Sequence, residues 1–264
     1  MTKLTRRDVF ALTAVAGTAA AGLTRARAQS SPGGIVALAA RPEAVAIDTA
    51  RAAVLVVDMQ NDFGSEGGMF QRAGIDITGI QSAVAPTARA IAAARRAGMP
   101  VAYLKMGYRP DLSDLGAEHS VNSTRHLQFG VGQTVRAPDG SESRILIRDT
   151  WNTDIVPALA PQPGDIVLYK TRFSGFYDTD LDERLKAIGV EQLIVTGCTT
   201  SVCVESTVRD AMFRDYRCVL LEDCMSEPVG AGFARSNHEA SLLTVEALFG
   251  WVSQSVRFTE ALAS

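Results

Sequence analysis

Three side chains that could share one chemistry stand just beyond apolar runs. Asp58 follows Ala53-Val-Leu-Val-Val57, Lys170 follows Asp165-Ile-Val-Leu-Tyr169, and Cys203 lies past Gln192-Leu-Ile-Val-Thr196 and Gly197. Cys203 belongs to the stretch Leu193-Ile-Val-Thr-Gly-Cys-Thr-Thr-Ser-Val-Cys-Val-Glu-Ser-Thr-Val-Arg-Asp210, where an apolar strand passes into small polar residues and then an amphipathic pattern. A thiol at such a strand-to-helix turn lies near backbone N–H groups and the positive end of a helix, which favour the thiolate. Free cysteine also packs as a small hydrophobe, so this segment alone leaves both roles open. Gathered at one crevice, the three residues form a chemical unit. Asp58 would take the thiol proton, Lys170 would stabilise negative charge and Cys203 would attack a carbonyl carbon. An Asp or Lys closing a strand is also an ordinary solvated loop residue; the agreement of three strand ends is what points to a site.

The elements that must position them alternate. Ala53–Val57 is a continuous apolar run, as expected of a strand buried on both faces of a parallel sheet. Residues 100–104, 165–169, 192–196 and 217–221 read as further strands. Residues 86–97 have helical periodicity opened by Pro86 and stopped by Gly98, and residues 179–188, 201–215 and 236–248 read as further helices. Strand, helix, strand order predicts an α/β fold, a doubly wound and mostly parallel sheet with helices on both faces and right-handed crossovers. Its ligand would sit beyond the carboxyl ends of the strands, where Asp58, Lys170 and Cys203 stand.

Composition narrows the function classes. Thr5-Arg6-Arg7-Asp8-Val9-Phe10, a mildly apolar run to Leu23 and Ala26-Arg27-Ala28 predict a cleaved twin-arginine signal over residues 1–28, hence a periplasmic or otherwise exported protein. The apolar run is shorter than the roughly twenty residues a spanning helix needs. An extension over 29–45 and one domain over 46–264 would follow. Residues 1–28 carry five basic residues and one acidic one. Of 26 and 29 in the whole chain, 21 and 28 therefore remain, a formal net charge of −7. That balance argues against nucleic acid and anionic membrane surfaces as partners. Cysteines occur only at 198, 203, 218 and 224, a clustering unlike a disulfide scaffold, although one bridge among Cys198, Cys218 and Cys224 stays open. With no C-x-x-C and only His119, His126 and His238, no zinc knuckle is expected. His238 reads as a helix-surface residue rather than a base.

Val56-Val-Asp-Met-Gln-Asn-Asp-Phe63, Tyr169-Lys-Thr-Arg-Phe-Ser-Gly-Phe176 and Thr196-Gly-Cys-Thr-Thr-Ser-Val-Cys-Val-Glu-Ser-Thr-Val-Arg-Asp210 resemble, in order and spacing, the three catalytic segments of the isochorismatase-like cysteine hydrolases. The resemblance implies a Rossmann-like or flavodoxin-like three-layer sandwich with Asp58, Lys170 and Cys203 as a catalytic triad. It also implies a non-proline cis peptide at Cys198–Thr199 and an oxyanion hole made by the backbone N–H groups of Thr199 and Cys203. Within the family the chain is similar to ureidoacrylate amidohydrolases, through Ala40-Arg-Pro-Glu-Ala44, Pro161-Gln-Pro-Gly-Asp-Ile-Val-Leu168, Arg172, Ser174-Gly-Phe176, Leu221-Glu-Asp223 and Phe249-Gly-Trp-Val-Ser253. Residues 105–150, expected to help wall the pocket, diverge, and related members also cleave biuret and carbamoylsarcosine.

What the resemblance implies is thioester chemistry on an amide or ureido C–N bond of a small molecule. Arg172 would pair with a substrate carboxylate, and Asn61, Phe63, Phe173 and Phe176 would line the pocket. No cofactor is expected. The zinc set of the family's nicotinamidases has no counterpart in Asp111-Leu-Ser-Asp-Leu-Gly-Ala-Glu-His119, so no metal is expected either. Homo-oligomers, dimers or tetramers, are common in the family. Two other readings remain, a thiol-redox protein cycling Cys203 with Cys198 and a binding protein that keeps the fold without turnover. The five-residue spacing and the presence of Asp58 and Lys170 weigh against both.

Overall fold

The structure, a computed structural model, describes residues 33–263. The twin-arginine pattern and its cleavage-like site lie outside the described residues. The described chain opens on an antiparallel pair, β1 (Ile35–Leu38) and β2 (Val45–Asp48). Leu38, Val45 and Ile47 are buried in the main core, so part of the segment expected as an extension belongs structurally to the domain.

The strands β3 (Ala52–Val57) and β4 (Val101–Met106) follow. A short antiparallel ribbon, β5 (Thr134–Arg136) with β6 (Glu142–Arg144), precedes β7 (Ile166–Lys170). Then come β8 (Gln192–Cys198), β9 (Arg217–Ser226) and β10 (Gly250–Ser253). Six of these form one sheet in the order β10-β9-β8-β3-β4-β7, every neighbouring pair parallel. The chain grows from β3 through β4 to β7, then returns to the other side of β3 for β8, β9 and β10. The growth direction thus reverses between β3 and β8, the position where open α/β sheets leave a crevice for ligand.

All residues of β3, β4 and β8 are buried. Their apolar side chains alternate between two cores, Val54 and Val56 on one face of the sheet and Ala53, Leu55 and Val57 on the other. Each such valine or leucine contributes about 1.5–3 kcal/mol through burial. The first face is covered by α3 (Thr78–Arg96), α8 (Ser255–Ala261) and the β1–β2 pair. The second is covered by α5 (Leu181–Ala187), α6 (Glu205–Met212) and α7 (Asn237–Thr244). The short helices α1 (Asn61–Gly64), α2 (Met69–Arg72) and α4 (Val121–Gln128) lie in the connections after β3 and β4.

Two boundaries differ from the sequence reading for physical reasons. α3 begins at Thr78, eight residues before Pro86, which stands buried inside the helix instead of opening it. The helix start is held by Asp76, whose carboxylate accepts from the Thr78 N–H at 2.9 Å. The carbonyl that Pro86 leaves without its helical donor belongs to Ser82, an exposed residue. The helix expected over 201–215 is divided: Thr200–Val204 forms a wider π turn, and α6 begins only at Glu205. That turn carries Cys203.

Candidate active site

Strand register sets the site before any side chain does. Val57 pairs with both Gly197 of β8 and Leu104 of β4, while Met106 pairs with Lys170 of β7, so the ends of four strands lie side by side. Gly197 is required here. Its φ is +118°, and a Cβ would collide with the Val57 carbonyl. Asp58 leaves β3 through a left-handed turn, φ 52°, with its N–H donated to Leu104 O at 2.9 Å. Its carbonyl accepts the Cys198 thiol at 3.2 Å. The main chain from which the carboxylate projects is therefore fixed on both sides of the residue.

The structure brings the three predicted residues together. Lys170 Nζ lies 2.7 Å from Asp58 Oδ2, with the two side chains 0% and 1% exposed. The ammonium also donates to Arg172 O at 3.3 Å and lies 3.6 Å from Met106 Sδ. Cys203 is buried and interacts with both Asp58 and Lys170. Its turn is held from below. Thr207 Oγ1 donates to Cys203 O at 2.7 Å, Ser201 donates through N–H and Oγ to Glu227 Oε2 at 2.6 and 2.5 Å, and Thr200 Oγ1 meets His238 Nδ1 at 2.8 Å. His238 is thus a half-buried prop of the turn that carries Cys203 rather than a free surface group. The Cys198–Thr199 peptide is cis, and Thr199 is buried beside Cys203.

Burial governs the protonation of this cluster. It pushes the Asp58 carboxyl above its ordinary range, only partly opposed by Lys170 and by hydrogen bonds from Lys170 and Cys203. It pushes the Cys203 thiol up as well, with Lys170 pulling the other way and Asp58 reinforcing the rise. Lys170 is pushed down by burial, but Asp58 and Cys203 outweigh that and hold it above the usual lysine value. The cluster therefore holds a firm cation beside two groups that compete for one proton. A carboxylate with a raised pKa is the better base toward the neighbouring thiol.

Above the cluster opens a cavity of about 240 Å³ whose floor includes Asp58, Cys198, Thr199 and Cys203. Of the five residues expected to bind substrate, Phe63 and Phe173 stand on its wall. The other three are placed elsewhere. Asn61 donates to Trp151 O at 2.8 Å and accepts from Ser65 Oγ at 2.8 Å, so its amide ties α1 to the 151 turn. Phe176 packs on Tyr216, ring centroids 5.7 Å apart, buried in the same core cluster as Cys203 but not on the cavity lining. Arg172 is not on the wall and donates to Thr171 O at 2.6 Å and Asp114 O at 3.4 Å, with its guanidinium 5.6 Å from the Tyr177 ring centre.

Several wall residues were not selected from the sequence. Arg125, His126 and Phe129 come from α4 and its end, Met69 and Phe70 from α2, and Val229 from beyond β9. His126 Nδ1 lies 2.7 Å from Asn122 O, so that nitrogen carries the proton. Burial, with Lys170 and Arg172 adding to it, holds the ring's pKa below the ordinary histidine value. Asp62 was also missed. Its wholly buried carboxylate accepts from Met69 N–H at 2.9 Å, Leu146 N–H at 2.7 Å and the Asn152 amide at 2.5 Å, joining α2 to the 142–152 segment. The signal for it was present in Asn61-Asp62, two polar residues immediately before Phe63.

All four cysteines are buried free thiols. Cys218 packs in one core and Cys198 and Cys224 in the other, on opposite faces of the sheet. Among the described residues no cluster of three or more His, Cys, Asp or Glu is arranged to hold a metal ion, and no helix is long and apolar enough to cross a membrane.

A parallel sheet with its ligand crevice at the β3/β8 reversal, and a buried Asp-Lys-Cys cluster on that crevice floor, define the class. The isochorismatase domain matches residues 52–256, and the chain belongs to that family of hydrolases. It is 43% identical over 235 residues to a ureidoacrylate amidohydrolase, RutB, of Methylobacterium radiotolerans, covering 89% of this chain and 88% of the relative. It is 42% identical over 226 residues to the RutB of Variovorax paradoxus, covering 86% and 87%. Among solved structures it is similar to a cysteine hydrolase from Pseudomonas syringae pv. phaseolicola (TM-score 0.68, 32% identity, 82% of this chain and 94% of that one). It is also similar to N-carbamoylsarcosine amidase from Thermoplasma acidophilum (TM-score 0.56, 25% identity, 78% and 96%).

Proposed function

We propose that the protein is a cysteine-dependent amidohydrolase that cleaves an amide or ureido C–N bond of a small molecule, ureidoacrylate-like or another carbamoyl compound. The observation that carries this reading is the 2.7 Å contact between Lys170 and Asp58, both buried, with Asp58 and Cys203 together on the floor of a largely apolar cavity. The similarity to ureidoacrylate amidohydrolases supports the bond type.

In this reading Asp58 takes the Cys203 proton as the sulfur attacks the substrate carbonyl, forming an S–C bond and a tetrahedral oxyanion. The N–H groups of Thr199 and Cys203 receive that oxyanion, a contribution of roughly 3 kcal/mol per donor in comparable sites. Lys170 stays protonated throughout and offsets the negative charge shared by thiolate and carboxylate. Asp58 then returns its proton to the leaving nitrogen as the C–N bond breaks. Water, deprotonated by Asp58, adds to the thioester and releases the acid and the free thiol. No step calls on a metal or cofactor.

The test is ammonia release by residues 29–264 across ureidoacrylate, biuret, carbamoyl amino acids and simple amides. Release that disappears in Cys203→Ser supports the reading; release that persists there contradicts it. The twin-arginine pattern supports export, read out by fractionating cells that express the full chain and its Arg6→Lys/Arg7→Lys variant. A dimer or tetramer, common in this family, is tested by light scattering.

A further inference from the structure

The cavity walls say more about the substrate than the floor does. Apart from the floor groups, its polar lining consists of Arg125 and His126, adjacent on α4. The remaining wall is apolar, with Phe63, Met69, Phe70, Met106 and Leu146 nearly inaccessible and therefore deep. Phe129 and Phe173, each 40% exposed, mark the mouth. Arg125 is exposed there too. Its guanidinium pairs with no carboxylate among the described residues, and its side-chain bond goes to the neutral amide of Gln128, 3.1 Å away. Lys170 is already paired with Asp58, and the Arg172 guanidinium, not part of the cavity lining, is held by the backbone carbonyls of Thr171 and Asp114. A substrate reaching from Cys203 to the mouth thus meets a reactive floor, an apolar middle and, on the lining itself, the Arg125 guanidinium with no carboxylate partner among the described residues.

Resting on the amidohydrolase reading, we propose that the substrate is an amide or ureide of an anionic, apolar-bodied molecule. Its C–N bond lies at Cys203, its hydrocarbon or aromatic body lies against the Phe63 and Phe70 side, and its carboxylate pairs with Arg125. Such a molecule keeps ureidoacrylate's layout, with the ureido group at one end and the carboxylate at the other, but carries a larger apolar spacer. Arg125 is then the specificity-determining residue. A guanidinium fork matches a carboxylate in geometry, and an apolar rim strengthens the pairing.

The test uses three probes on the Cys203→Ser protein, with binding measured by calorimetry. These are ureidoacrylate (short and anionic), 4-ureidobenzoate (aromatic and anionic) and phenylurea (aromatic and neutral). The inference expects 4-ureidobenzoate to bind on the order of tenfold or more tighter than either of the others. It expects Arg125→Ala to remove its advantage over phenylurea while phenylurea itself binds as before. Ureidoacrylate binding tighter than 4-ureidobenzoate overturns the apolar body. An equal loss for both aromatic probes in Arg125→Ala overturns the carboxylate contact, and no binding by any probe overturns the whole proposal. Binding without turnover by the unmodified enzyme would instead count against the amidohydrolase reading, so the two failures are distinguishable.

Discussion

The floor of the cavity and its wall are built on different principles. The floor is built from groups at or just beyond the ends of neighbouring parallel strands, with Asp58 and Lys170 at 1% and 0% exposure and Cys203 on the turn after β8. The wall comes from short helices and connecting segments after β3, β4 and β9, and its outer aromatic residues remain 40% exposed. In the proposed function, reaction chemistry would thus sit where the fold is most constrained, and recognition where sequence can vary without disturbing the sheet. A change in the floor should abolish the reaction; a change at the mouth should redirect it.

The sharpest way to break that contrast is at the floor. Cys203→Ser should remove turnover altogether, and Asp58→Asn or Lys170→Ala should each lower kcat/KM by about a thousandfold or more, because members of a catalytic unit fail together. Activity assays against a folded, cavity-competent protein check this, and near-normal rates in either of the latter two would remove that residue from the unit.

The same pair separates stability from catalysis. Lys170→Ala leaves a buried carboxylate without its cation and should destabilise by about 3–5 kcal/mol in denaturant melts. The double variant Asp58→Asn/Lys170→Met should recover much of that stability while remaining inactive. Recovery of activity would mean the ion pair is structural only.

Asp62 links floor and wall, and its titration is a stability lever. Burial raises its carboxyl from 3.8 to about 6, against the pull of its three donors. The folded protein binds this proton more tightly than the unfolded chain, so the stability concerned is fully present below pH about 3.8. It is lost as pH rises through about 6, a change of about 3 kcal/mol. The difference between urea melts of the wild type and Asp62→Asn over pH 4 to 7 should show that slope; a flat difference would contradict it. For turnover the corresponding sign is opposite. Protonated Asp58 cannot accept from the thiol, so kcat/KM should fall on the acid side with an apparent pKa above the ordinary 3.8.

The smallest effect lies at the mouth. Phe173→Ala should raise KM by up to about tenfold with kcat nearly unchanged, because the ring stands exposed at the cavity mouth while Asp58, Lys170 and Cys203 are buried. A large fall in kcat there would erase the distinction between floor and wall.

The sequence carried the floor almost completely, for a physical reason. Strands buried on both faces read as unbroken apolar runs, so Ala53–Val57 and Gln192–Thr196 were visible and the residues just beyond them followed. The wall was less legible. Val121-Asn-Ser-Thr-Arg-His-Leu-Gln128 has only Val121 and Leu127 as apolar residues, too few to mark a helix face, so α4 and its Arg125 and His126 give no signal. Arg172 is read as a carboxylate partner because its planar fork stands in a family-like segment, but residue type does not reveal direction, and its guanidinium is held by the carbonyls of Asp114 and Thr171. Phe176 and Asn61 were real structural positions read as pocket positions. Pro86 misplaced the start of α3 because burial against the sheet outweighed the lost helical hydrogen bond. The short β10 and the β1–β2 pair were too brief to show a period.

The central claim is that Cys203 forms the covalent intermediate while Asp58 and Lys170 make it possible. Its most direct test is a single-turnover reaction with a cleaved ureido compound, quenched in acid and read by mass spectrometry of the cysteine peptides. The account predicts an acyl or carbamoyl adduct on Cys203, none on Cys198, Cys218 or Cys224, and neither adduct nor turnover in Cys203→Ser. Undiminished turnover in Cys203→Ser, without any adduct in the wild type, would contradict it.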